Sequence, residues 1–270
     1  MTEPSAAVHP AATEASDGEA GLVLMTTQPL PPRRAHAEPR PLSVPLRLAV
    51  VDMSGTSIVD TGLQDTAFAE ALDAHGVGEG HPERTFHLAA FRRRRRSSRT
   101  DVFASIFGDR ATARSAVRTF EERLDALIAE HGARPQPGAV EALERLREQG
   151  MALCLATGFA RHTQNTLLES LDWMGLADLS LSPDDVGRGV PYPDMVLTAL
   201  LALDLEDVRS VLTVGDTDAD VQAGRRAGAG LVVGVLSGED DGDALAAAGA
   251  DAVLPLLADV PELTERLARA

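Results

Sequence analysis

The chain contains no lysine: all 25 basic residues among its 270 are arginine. That excludes imine chemistry through a lysine amine, since a guanidinium stays protonated and is no nucleophile toward a carbonyl. Aromatic residues are scarce at 3%, which leaves little from which to build a base-stacking platform. A single cysteine, Cys154, excludes an internal disulfide and any multi-cysteine metal site. Its apolar neighbours predict a buried structural thiol. No apolar run approaches the ~20 residues that span a bilayer. The N-terminal residues also lack the basic-then-apolar pattern of a secretory signal. Positive charge is in deficit overall: 41 acids leave a net charge of −16. Nucleic acid and anionic membranes, both polyanions, are therefore disfavoured as partners, and a cytoplasmic protein is expected.

What is present is enough apolar material for a large core, at 44% of residues. Residues 1–45 are rich in Ala, Pro, Glu and Thr without apolar periodicity, and predict a disordered tail. From Leu46 the pattern changes. Leu46–Val51, Met151–Ala156, Val211–Val214 and Leu231–Leu236 are short apolar runs of the kind buried in a parallel sheet. Shorter strands are expected near 178–182 and at Ala252–Leu254. Helical spacing falls between them, in a helix that starts at Pro137-Gly138 and stops at Gly150, and at about 161–171, 193–203, 219–227, 242–249 and 260–268. This alternation predicts an α/β fold, a doubly wound, Rossmann-like parallel sheet.

Between about 62 and 132 there is no strand signal. Helical patterns over 63–75, 100–107 and 111–130 predict an all-helical insert, split by a polar segment that holds the run Arg92–Arg96. That run predicts a solvated face. The expected organisation is a tail (1–45), a core (46–61 and 133–270) and an inserted helical cap (62–132).

Parallel sheets of this kind hold ligands beyond the carboxyl ends of their strands. Three predicted strands end there in polar groups: Asp52, Thr157 and Asp216, with Asp220 one helical turn beyond the last. Several carboxylates gathered in one place need a cation, and Mg²⁺ suits hard oxygen donors with positions left for water and a phosphate. Asp52 is the candidate nucleophile toward phosphorus. Gly55 permits a tight turn whose N–H can approach phosphoryl oxygens, and Thr157 offers a hydroxyl. The helix beginning near Arg161 would point its positive end at the same space. Each motif alone has a plain reading: a strand-to-turn exit for Asp52–Thr56, a turn and N-cap for Gly215–Asp220. Their order and shared placement favour chemistry.

The segments Val50–Thr56, Leu155–Arg161, Asp185–Met195 and Val214–Asp220, with Val233–Gly238, resemble the haloacid dehalogenase superfamily, and within it the phosphonatase-like branch. The resemblance covers about 46–270. It implies a Mg²⁺ site from Asp52, the backbone carbonyl of Ser54 and Asp216, supported by Asp220. It also implies a helical cap over a small phosphorylated substrate, with Thr157 on the phosphoryl group. Gly55, Thr56, Gly158, Arg161 and Arg99 become candidate substrate contacts.

Three departures follow from the same resemblance. Ser54 stands where most of these phosphatases carry a second aspartate that protonates the leaving group. Arg99 stands at the place of the branch's imine-forming lysine. Val190 stands where a cation is usual, and Arg188, two residues away, either replaces it or is a surface residue. The expected activity is a phosphatase-type hydrolysis through an aspartyl-phosphate on Asp52. The alternative is a weakly active or non-catalytic member that binds a metabolite or a protein.

Overall fold

The computed structural model describes residues 41–93 and 99–269. Most of the predicted tail (1–40) and Arg94–Arg96 lie outside the described residues. Among the described residues six parallel strands form one sheet: β1 (Leu48–Asp52), β2 (Ala152–Ala156), β3 (Leu179–Leu181), β4 (Val211–Gly215), β5 (Leu231–Val235) and β6 (Ala252–Leu254). Their order is β3-β2-β1-β4-β5-β6. The chain therefore winds outward from β1 on one side and returns to its other side at β4. The crevice between the carboxyl ends of β1 and β4 is the switch point where such sheets take ligands.

Both faces of the sheet are covered, which is why the strands read as continuous apolar runs. Ala49, Val51, Leu153, Leu155, Leu212 and Val214 pack to one side. They meet Ala139, Ala142, Leu143 and Leu146 of α5 (Ala139–Glu148), spaced at three and four along one helical stripe. Leu48, Val50, Cys154, Val211 and Val232 pack to the other side. There they meet Met195, Val196, Ala199 and Leu200 of α7 (Asp194–Ala202) and Val221 of α8 (Asp218–Ala227). Each fully buried aliphatic side chain contributes about 1.5–3 kcal/mol. A one-residue slip in register would exchange the two faces, so the position of each strand end is tightly held. Burial pushes the Cys154 thiol up to about 12, in keeping with a structural role.

Among the described residues, four helices occupy the segment between β1 and α5: α1 (Leu63–Ala74), α2 (Arg84–Arg93), α3 (Arg99–Phe107) and α4 (Arg110–His131). The scarce aromatics are concentrated here. Phe68, Phe91, Phe103 and Phe120, four of the seven phenylalanines, form one buried cluster. Phe68 stacks on Phe91 with ring centroids 4.0 Å apart and on Phe103 at 5.0 Å, and Phe120 sits 6.0 Å from Phe91. Helix α2 was not expected from its arginine-rich sequence. It forms because Phe91 and His87, one turn apart, bury against the insert while Phe86 stays exposed. Trp173 is buried, whereas its neighbour Met174 is 61% exposed. Among the described residues no helix is long and apolar enough to cross a membrane.

Among the described residues the other α-helices are α6 (Arg161–Ser170), α9 (Gly242–Ala248) and α10 (Val260–Ala268). Helix α6 packs against α4, and so links the insert to the sheet.

Candidate active site

Strand β1 delivers Asp52 at its last position, paired in register with Ala156 of β2. Thr157 and Asp216 follow directly after β2 and β4. Beyond Asp52 the chain closes a tight turn: Ser57 and Ile58 donate N–H to Met53 O at 2.9 and 2.7 Å, and Gly55 N–H donates to Ile58 O at 2.8 Å. Gly55 has φ +90°, and a side chain there would also meet the Asp216 carboxylate. The turn thus brings the backbone onto Asp216.

Asp52, Asp216 and Asp220 offer carboxylate oxygens that all lie within 4.8 Å of one another. Asp216 is buried and braced: Thr56 Oγ1 donates to Oδ1 at 2.9 Å, and Glu239 N–H donates to Oδ2 at 2.9 Å. Asp220 caps its own helix. Its Oδ2 accepts the Thr217 N–H at 3.1 Å and the Thr217 hydroxyl, while its N–H donates to Thr217 Oγ1. The capping and the acidic readings of Gly215–Asp220 are therefore both right: the cap fixes the carboxylate that completes the triad.

Burial pushes the Asp52 carboxyl well above its ordinary range, and the neighbouring charges of Asp220 and then Asp216 push it further. Three clustered carboxylates with one held this way are a donor set that fits a hard divalent cation such as Mg²⁺. The sign of the resulting pH dependence is fixed. The metal-free fold binds this proton more tightly than the unfolded chain does. Its stability falls as pH rises through the window from the ordinary carboxylate range up to the folded value. A cation prefers the ionised form, so its stabilising effect grows over the same window. At ten times its Kd it adds about 1.4 kcal/mol, which is a rise in Tm of about 3–6 °C for a domain of this size. Melting curves with Mg²⁺ and with EDTA should separate more at pH 8 than at pH 5.

These groups line one cavity of about 1340 Å³ between the sheet and the helical insert. Asp52, Ser54, Gly55, Thr157, Gly158, Asp216, Asp220, Arg99 and Arg188 all reach it. Thr157 is almost fully buried, and its Oγ1 accepts the Phe159 N–H at 3.3 Å. Arg99 is held at the cavity's edge with its guanidinium 5.5 Å from the Phe91 ring and 5.7 Å from Phe120, and it donates to Gln64 Oε1 at 3.2 Å. Arg188 forks onto both carboxylate oxygens of Asp194 at 2.8 and 3.1 Å and lies 4.3 Å over the Tyr192 ring. Val190, which precedes a cis peptide to Pro191, lines the cavity beside it.

Two sequence-predicted contacts are placed differently. Thr56 is fully buried beneath the site, where it supports Asp216 and does not line the cavity. Arg161 turns its guanidinium away from the cavity onto Ser180 O, Gln164 Oε1 and Asp185, and its own N–H donates to Asp184 Oδ2 at 2.7 Å. That hydrogen bond already takes up part of the α6 N-terminus.

Other residues went unnoticed in the sequence. Gln136, which is buried, donates its amide N–H groups to Gly55 O and Ser237 O at 3.3 and 3.2 Å. Ser237 Oγ donates to Gly55 O at 2.7 Å. A Cβ on Gly238 would lie 1.9 Å from Asp216 Oδ2, so only glycine lets that loop close over the carboxylate. The signal for Ser237 and Gly238 was the strand-end segment Val233–Gly238; Gln136, outside it, had none.

The profile of the haloacid dehalogenase-like hydrolase family matches residues 46–228, more than half of the chain. The chain belongs to this family. A phosphonoacetaldehyde hydrolase from Nitratidesulfovibrio vulgaris is 30% identical over 210 residues, which cover 73% of this chain and 74% of that protein. One from Bordetella pertussis is 38% identical over 116 residues, 43% of this chain and 42% of that protein. Relatives of the same name from Bordetella and Bacillus cereus are matched over only 42–54% of their own length. Among solved structures, a phosphonoacetaldehyde hydrolase-like protein from Oleispira antarctica superposes with a TM-score of 0.65 at 24% identity, covering 85% of this chain and 96% of that one. That likeness bears on the fold, an α/β core with a helical insert.

Proposed function

We propose that this hydrolase is a Mg²⁺-dependent phosphatase that acts on a small phosphorylated metabolite through an aspartyl-phosphate on Asp52. The observation that carries the reading is the meeting of Asp52, Asp216 and Asp220 carboxylates within 4.8 Å, in a cavity that Thr157 also lines. In this reading Asp52, the Ser54 carbonyl, Asp216 and Asp220 hold the cation, and residues 62–132 act as a cap, in a cytoplasmic setting. Bound Mg²⁺ supplies positive charge that offsets repulsion between the carboxylate nucleophile and the anionic ester.

The protein's own groups do the rest. Asp52 attacks phosphorus. The Thr157 hydroxyl and the Gly158 backbone orient the phosphoryl oxygens, whereas the Gly55 N–H, expected from the sequence to do so, is taken up by Ile58 O inside the turn. Arg99 contributes a fixed cation on the cap side, and Arg188 contributes one from the loop before α7. Positioned donors of this kind are each worth about 3 kcal/mol at the transition state.

The name shared by the relatives suggests phosphonoacetaldehyde as substrate. Its cleavage through a lysine imine is unavailable to a chain without lysine. A weakly active member is favoured by one observation: Arg188 is already engaged by Asp194 while the neighbouring Val190 is neutral. Purified protein should release phosphate from 4-nitrophenyl phosphate with Mg²⁺ and lose that activity with EDTA. A rate that ignores both additions would sink the metal-dependent reading.

A further inference from the structure

Ser54 lines the cavity two residues after Asp52, yet its hydroxyl is too weak an acid to protonate a departing alkoxide. The helical insert brings another carboxyl group to the cavity wall. Glu121 sits on α4, one turn after Val117, and both face the cavity that holds Asp52 and Thr157. One turn further along the same helix, Asp125 meets His162 of α6 at 3.1 Å and fixes this face of α4 against the core. Glu121 itself is half-buried and makes no hydrogen bond or ion pair with the described residues.

We propose that Glu121 protonates the leaving-group oxygen, the step for which Ser54 has no suitable group. The inference rests on Asp52 being the nucleophile. In the step, an Asp52 oxygen forms a bond to phosphorus as the bond from phosphorus to the ester oxygen breaks. The electron pair stays on that ester oxygen, which takes the proton of the Glu121 carboxyl and leaves as an alcohol. Glu121 regains a proton from solvent.

The surroundings favour the protonated form of this acid over the charged one. Burial raises the Glu121 carboxyl above its ordinary range, and the charges of Asp184 and Asp125 raise it further. His162 on α6 and Arg99 on α3 oppose them. Among the described residues these charges reach it from its own helix, from α3, from α6 and from the turn after β3.

Leaving-group ability tests the assignment. Nitrophenolate departs without a proton, whereas an alkoxide does not. Single-turnover rates with excess enzyme and Mg²⁺ should be measured for 4-nitrophenyl phosphate and for glycerol phosphate, comparing wild type, Glu121→Gln and Glu121→Asp. Glu121→Gln is expected to slow the alkyl ester by about 10²–10⁴-fold and to leave the aryl ester within a few-fold. Glu121→Asp should recover part of the alkyl rate and keep the alkaline fall of its pH profile, which Glu121→Gln loses. Equal slowing of both esters, or of neither, overturns the proposal while leaving Asp52-dependent aryl hydrolysis intact. If neither ester reacts faster than with Asp52→Asn, the nucleophile reading fails, and this inference with it. Circular dichroism of each variant separates a catalytic loss from misfolding.

Discussion

Asp52→Asn is expected to lower Mg²⁺-dependent phosphate release by about 10³-fold or more, because a carboxamide cannot form the covalent intermediate. The same substitution should raise the melting temperature of the metal-free protein. Asp52 is held in a place where burial, Asp220 and Asp216 all disfavour its charge. The asparagine amide is close in size and carries none of that charge. Loss of activity with a gain in stability is the signature of a group placed for chemistry at the fold's expense. A variant that lost activity by unfolding would melt lower. The Mg²⁺-induced rise in melting temperature should also shrink, since one of three carboxylates is gone. Differential scanning calorimetry with Mg²⁺ and with EDTA, beside a phosphate-release assay, reads all three effects.

Gly238→Ala is expected to raise the Mg²⁺ concentration needed for half-maximal activity by about 10–100-fold, the range for lost support around metal ligands. The added methyl would lie 1.9 Å from Asp216 Oδ2 and 2.2 Å from its Cγ. Neither atom is the tip of a flexible chain, since Thr56 and the Glu239 N–H hold both carboxylate oxygens. The carboxylate must rotate out of the triad or the loop must lift. In either case the Glu239 hydrogen bond is lost. The backbone of Gly238 is not left-handed, so alanine brings a clash without conformational strain. Titrating activity with Mg²⁺ and measuring its binding by calorimetry check the point. An unchanged Mg²⁺ dependence would mean that Asp216 does not serve the metal.

Much of this was legible in the sequence because the informative groups sit at strand ends. A buried parallel strand is a short apolar run, and the residue that ends it faces the ligand crevice. Asp52, Thr157 and Asp216 could therefore be assigned to one site before their separation was known. The groups supporting them were not legible. Gln136 and Ser237 meet Gly55 across 81 and 182 residues, and nothing local marks such a meeting. Gly238 looks like any loop glycine until Asp216 is seen beneath it.

Arg161 misled because a helix start was visible while the direction of its side chain, set by Ser180 and Asp185, was not. Helix α2 was masked by arginines whose pattern hides a narrow buried stripe, Phe91 and His87. In the sequence, nothing separates Glu121 from the other charges of an amphipathic helix. Its interest comes only from the side of α4 that turns toward the cavity.

In the proposed reaction Asp52 carries the phosphoryl group. Wild-type protein mixed with ³²P-labelled aryl phosphate and Mg²⁺, then acid-quenched within a turnover, should hold label on the peptide that contains Asp52. Hydroxylamine should remove the label, and the Asp52→Asn protein should hold none. Phosphate release with no labelled Asp52 peptide, at a rate that Asp52→Asn shares, would contradict the account.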